Sequence, residues 1–207
     1  MIIGIDSSNN KQLICVVFGS NENIYKTYMK LCDLFKQKDW NPPLHWKKMA
    51  SSVKKALIKP ASELINESDL KIWIFETNKP MEVEAKDYYL RKVPNKVAFA
   101  LEPLIRSTKG VLQIQADKDF EISKTRGTHD FLKYFVSQVS FRLYGSPVKI
   151  MESRGDINVC VKTDEFDLRI RAVPMPSGES KAVQLADVIL GVYNIDKRKI
   201  NFRRIKI

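Results

Sequence analysis

Histidine, glycine and cysteine are all scarce in this sequence, and each scarcity removes a class of function. Two histidines, His45 and His129, and no HExxH motif leave no basis for a zinc hydrolase. Eight glycines, with no GxxxxGK[ST] and no GxSxG, exclude a phosphate-cradling loop and the nucleophile elbow of a serine hydrolase. The three cysteines, Cys15, Cys32 and Cys160, stand far apart without a CxxC pair, which argues against a disulfide framework and against structural zinc. Cys15 lies in an apolar run and reads as a small buried hydrophobe. No apolar stretch approaches the roughly 18 residues of a membrane span. The opening MIIGIDSSNN has neither the basic leader nor the long apolar segment of a signal peptide. A soluble, cytoplasmic protein with no membrane partner is expected. Neither an internal repeat nor a low-complexity segment is present, and no linker invites a cut, so residues 1–207 are predicted to form one domain.

Acid is also short relative to base. Thirty-five Lys and Arg face 24 Asp and Glu, a formal charge of +11 with a pI near 9.5. Such an excess favours polyanions, and DNA or RNA is the first candidate partner. The basic residues crowd the tail at 197–207, where Lys197, Arg198, Lys199, Arg203, Arg204 and Lys206 alternate with Ile and Phe. Apolar residues in that pattern suit an edge strand with a basic outer face better than a free arm on a phosphate backbone.

What is present reads as alternating strands and helices. Apolar runs at Ile2–Ile5 and Leu13–Phe18, joined by a polar turn, predict an antiparallel hairpin. Helical spacing follows over 22–37, then a Pro- and Trp-containing loop over 39–46, then a helix over 48–66 with a bend at Pro60. Further strands are predicted at Leu70–Phe75 and Val111–Ala116, with helical patterns over 82–107, broken at Pro94 and Pro103, and over 128–144, capped by Thr128 or Ser123. Ile157–Lys162 and Leu168–Val173 read as a hairpin, and a last helix covers about 180–193. This order builds a mixed sheet with helices on its faces, an α/β architecture whose sites form beyond the carboxyl ends of strands.

Three carboxylates fall where that rule looks. Asp6 ends the first apolar strand; Asp117 ends the later strand, with Asp119 two residues on; Asp187 sits within the apolar helix Ala182–Val192. Aspartate is rarely buried unless paired or bound to metal. Gln184, Asp187 and Gly191, three and four residues apart, share one helix face, and Gly191 leaves room for a close approach between elements. A structural alternative pairs Asp187 with Arg169 or Arg171. Clustered carboxylates otherwise suit a hard divalent cation, Mg²⁺ or Mn²⁺.

The segments Gly4-Ile5-Asp6-Ser7-Ser8, Ile114-Gln115-Ala116-Asp117 and Ser177-Gly178-Glu179-Ser180 leading to Gln184-Leu185-Ala186-Asp187 resemble the domain of unknown function 3800 family. The resemblance implies a ribonuclease H-like mixed sheet flanked by helices. It also implies a metal-dependent nuclease site with Asp6, Asp117 and Asp187 as catalytic residues and cation ligands. One departure stands out: Ser7 occupies the place of a second acid in the opening motif, and Asp119 or Glu179 would have to replace its charge. Leu44-His45-Trp46-Lys47-Lys48 fills the region between the first two helices where the family carries a short charged motif, making His45 a candidate substrate contact. A PIN-type nuclease also begins with a strand ending in Asp, but the final Gln-Leu-Ala-Asp helix has no place in it. The expected function is therefore Mg²⁺- or Mn²⁺-dependent cleavage of nucleic acid, with Asp119 as a further metal ligand. The alternatives are a degenerate nucleic-acid-binding module, or a protein-interaction module, of the same fold.

Overall fold

In a computed structural model the chain is described at residues 1–8, 12–77, 92–117, 130–145, 151–153, 156–162, 167–176, 178–197 and 199–206. Its strands are β1 (Ile2–Ser8), β2 (Leu13–Gly19), β3 (Lys71–Glu76), β4 (Gly110–Asp117), β5 (Met151–Ser153), β6 (Asp156–Lys162), β7 (Asp167–Met175) and β8 (Arg203–Lys206). The helices are α1 (Asn21–Lys36), α2 (Ser51–Asn66), α3 (Val93–Arg106), α4 (Asp130–Tyr144) and α5 (Lys181–Ile195). A short 3-10 turn at Trp46–Lys48 interrupts the α1–α2 connection. All eight strands join one mixed sheet in the order β5-β6-β7-β4-β1-β2-β3-β8. β1 runs antiparallel to β2 and parallel to β4, and β4 runs parallel to β7.

β1 and β2 are buried along their whole length, because both faces of the sheet are covered there. This explains why they read as unbroken apolar runs instead of alternating ones. On one face Ile3, Ile5, Ile14, Val16, Ile114 and Ala172 pack beneath α3 and α4. On the other, Ile2, Cys15, Val17, Ile72 and Ile74 pack beneath α1, α2 and α5. Asp6, two positions from Gly4 on β1, belongs to the second face, the one α5 covers. Every residue from Ala182 to Tyr193 is buried, so α5 is a central helix held between the sheet and α1, α2 and the connecting strap.

Capping explains where the helices begin. The Ser20 hydroxyl accepts from Asn23 N at 3.0 Å to start α1, and Ser180 accepts from Val183 N at 3.1 Å to start α5. The helix expected over 82–107 is seen as α3 alone, which carries Pro103 without breaking. The carbonyl this proline would otherwise satisfy is that of Phe99, an exposed residue, so water can serve it instead. Pro60 within α2 stands in the same relation to Ala56, also exposed. Residues 78–91, Ser123, Thr128 and His129 lie outside the described residues. Strand β5 was not anticipated; three residues are too few for an alternation to register. Among the described residues no helix is long and apolar enough to cross a membrane.

Candidate functional site

The parallel pairing of β1 with β4 ends at Ile5 and Ala116, so Asp6 and Asp117 are the next residues on two neighbouring strands. They point to the face that α5 covers. Gly4 lets α5 come down: a Cβ there would stand 2.4 Å from the Ala182 carbonyl oxygen. From that contact α5 runs along β1, carrying Asp187 past Asp6 and bringing Asn194 Nδ2 to within 3.2 Å of Ser8 Oγ. Residues from the start, middle and end of the chain thus meet at one place.

The electrostatics follow from that meeting. Asp6 is 4 % exposed. Burial raises its carboxyl well above the ordinary value, and the charges of Asp187 and Asp117 raise it further; the Ser7 N–H and Lys47 oppose them. Asp187, 7 % exposed, is raised first by burial and also by Asp117, against the Trp46 N–H, Lys47 and His45. Three carboxylates that interact in this way form a site that favours a proton or a cation.

The face of α5 that carries Gln184, Asp187 and Gly191 meets the strap between α1 and α2. Asp187 Oδ2 accepts from Trp46 N at 2.9 Å. Gln184 Oε1 accepts from Leu44 N at 2.7 Å and from the Tyr28 hydroxyl at 2.9 Å, while its Nε2 donates to Gly178 O at 3.1 Å. The Trp46 indole lies on Gly191, where a Cβ would come within 2.0 Å of the ring. The close approach expected at Gly191 is therefore made by a tryptophan side chain. Arg169 and Arg171 are exposed on β7, and the groups that hold Asp187 are those of the strap.

No family model, curated protein or solved structure matches the chain. The site therefore rests on its own geometry.

Asp119 and His129 lie outside the described residues. Glu179 is exposed at the approach to α5, and Ser7 is buried at 7 % exposure. His45, a candidate substrate contact on the sequence alone, is half-buried beside Asp187. Lys47 belongs to the same charged segment, but the sequence assigns it no role at the site. Its signal was faint but present: a tryptophan in a Pro-containing connection needs a partner, and the lone glycine of an apolar helix is a place to look for one.

Donor chemistry fits a hard divalent cation, since the site offers the carboxylate oxygens of Asp6, Asp117 and Asp187. Among the described residues no set of three or more His, Cys, Asp or Glu side chains stands in ligating geometry. Mg²⁺ commonly takes one or two carboxylates and completes its shell with water and phosphate, so Asp6 and Asp187, with Asp117 behind them, are the groups that would hold it.

Proposed function

We propose that the protein is a divalent-metal-dependent nuclease of ribonuclease H-like fold that acts on DNA or RNA through Asp6, Asp117 and Asp187. The observation that carries this reading is the placement of three aspartates from distant segments at two adjacent strand ends and on the helix above them, where the charges of Asp187 and Asp117 raise Asp6. The fold assignment is supported by the core of the sheet. Three antiparallel strands, β1 to β3, are extended on the β1 side by parallel β4 and β7, the order of a ribonuclease H sheet. The net charge of +11 supports a polyanionic substrate.

In this reading Asp6 and Asp187 would hold the cation, and Asp117 would add negative charge beside it. The chemistry the cation supplies when bound is activation of water and stabilisation of the leaving oxygen. The Trp46 N–H fixes one oxygen of Asp187 and leaves the other free of that bond. Burial excludes bulk water from Asp6 and Asp187 and strengthens the charge interactions there, while Asp117 is half-buried at the edge of the site. Ser7, where the resembling family has an acid, favours a second reading: a site that binds nucleic acid without cutting it.

The test compares wild type with Asp6→Asn and Asp187→Asn on single-stranded, duplex and hybrid substrates, with Mn²⁺ and with chelator. Cleavage that needs the metal and is lost in both variants supports the nuclease. Binding without cleavage moves the assignment to the second reading, and neither binding nor cleavage rejects both.

A further inference from the structure

We propose that Lys47 is a phosphate-contacting residue of the acidic centre, presented there by the strap that Gln184 and Asp187 hold in place. This rests on the nucleic-acid reading above and adds a residue to the same site. The strap is built like a bracket. Leu44 N and Trp46 N both donate into α5, and the side chains of Leu44 and Trp46 are buried at 0 % and 4 % exposure. The alternate residues His45 and Lys47 are thereby turned outward, half-buried and exposed respectively. On the far side Lys54 Nζ donates to Lys47 O at 3.3 Å, tying the strap to α2.

Trp46 N donates to Asp187 at 2.9 Å, which sets the next residue, Lys47, beside the carboxylates, where its charge opposes those of Asp6 and Asp187. Among the described residues its ammonium nevertheless closes no ion pair with either one. A cation held beside carboxylates, but not bonded to them, serves a purpose that a surface lysine elsewhere does not. An acidic centre repels the phosphate it must receive, and a fixed positive charge at its rim offsets that repulsion where the backbone enters. Three anchors hold the strap on either side of Lys47, so its main chain is fixed beside the carboxylates.

The test uses the full chain in chelator, so that binding is read without turnover. Fluorescence anisotropy with labelled single-stranded and duplex oligonucleotides is followed over a range of KCl. Each phosphate neutralised by a lysine contributes about 0.7–0.9 to the slope of log K against log salt. Lys47→Ala is expected to weaken binding and to make the slope shallower by about that amount, while Lys47→Arg keeps it. Lys71→Ala removes an equal charge from the start of β3, at the opposite end of the strands, and is expected to leave the slope unchanged. Equal slopes for wild type and Lys47→Ala would overturn the Lys47 assignment and leave the nucleic-acid reading standing. So would an equal loss in Lys71→Ala, which would make the effect one of net charge. Absence of binding by the wild type at any salt overturns the nucleic-acid reading and this assignment with it. Lys47 is exposed, so its variants are expected to keep the wild-type fold; Lys47→Ala loses only the charge that opposes Asp6 and Asp187, and an unchanged far-ultraviolet circular dichroism spectrum removes misfolding as an explanation.

Discussion

Ionising Asp6 puts a charge where burial and two neighbouring carboxylates all oppose it. The folded protein therefore holds this proton to a higher pH than the unfolded chain does, and the same holds for Asp187. Their contribution to stability is complete below the ordinary carboxylate pKa and is lost as pH rises through the raised values. Asp6→Asn, a neutral isostere, is expected to melt above wild type at neutral pH in chelator. The difference should shrink towards zero near about pH 4, where the unfolded Asp titrates. A variant that melts below wild type at neutral pH would contradict the crowding of charge. Gly191 offers a second test at this scale. Helix propensity alone would make Gly191→Ala more stable by about 1 kcal/mol. The Trp46 ring at 2.0 Å from the new Cβ opposes that, and overpacking a core typically costs about 1–3 kcal/mol. Packing wins, and a net fall in Tm of a few degrees is expected. A rise would mean that the indole does not rest on this helix.

Among the elements, α5 and the strap form a unit that links the site to the fold. Gln184 holds three groups at once, on the strap, on α1 and on the loop before α5. Gln184→Leu keeps the bulk and leaves Leu44 N–H and the Tyr28 hydroxyl without this acceptor. An unsatisfied buried donor costs about 1–3 kcal/mol, and here the cost falls locally. Amide exchange is expected to quicken at Leu44 and Trp46 while the centre of β1 stays protected; equal protection in both proteins would show that the strap does not depend on Gln184. Much of this unit was legible beforehand. The spacing of Gln184, Asp187 and Gly191 gave a shared face, and strand-end positions gave Asp6 and Asp117. The partner of that face was not legible, because Trp46 reaches Asp187 through its main-chain N–H, and every residue type except proline has one. Lys47 was hidden for a related reason: one lysine among 35 Lys and Arg is distinguished only by what the strap brings it near. The helices across Pro60 and Pro103 were read as bent or broken, since only the fold reveals that the affected carbonyls face water.

At the scale of the whole molecule, the sheet must end somewhere on the β3 side, and β8 is what ends it. β3 presents Ile72, Trp73, Ile74 and Phe75 in succession, a flat apolar segment with an open row of backbone groups if left unpaired. Such an edge is a template for association. β8 pairs with it in parallel from Trp73 to Glu76 and is exposed at Arg203, Arg204 and Lys206, so the new edge is short and basic. The expected edge strand is thus found at 203–206. Phe202 anchors its approach against Tyr193, with ring centroids 5.0 Å apart. Glu76 fastens it: the carboxylate accepts from Tyr193 and Arg204 and pairs with Lys197 at 3.6 Å. Burial pushes Glu76 up, but these hydrogen bonds and the Arg204 and Lys197 charges outweigh it and hold the carboxyl below its ordinary value. That hold is present above the ordinary carboxylate pKa and is lost as pH falls through the lowered one. Removing residues 203–207 is therefore expected to promote self-association rather than unfolding. Light scattering at matched concentrations should give a larger mass for the shortened chain than for the full one, rising with concentration, while far-ultraviolet circular dichroism stays nearly unchanged. Glu76→Gln, which keeps the strand but weakens its fastening, should fall between the two. If the shortened chain keeps the mass of the full chain across the whole concentration range, the protection of β3 must come from elsewhere.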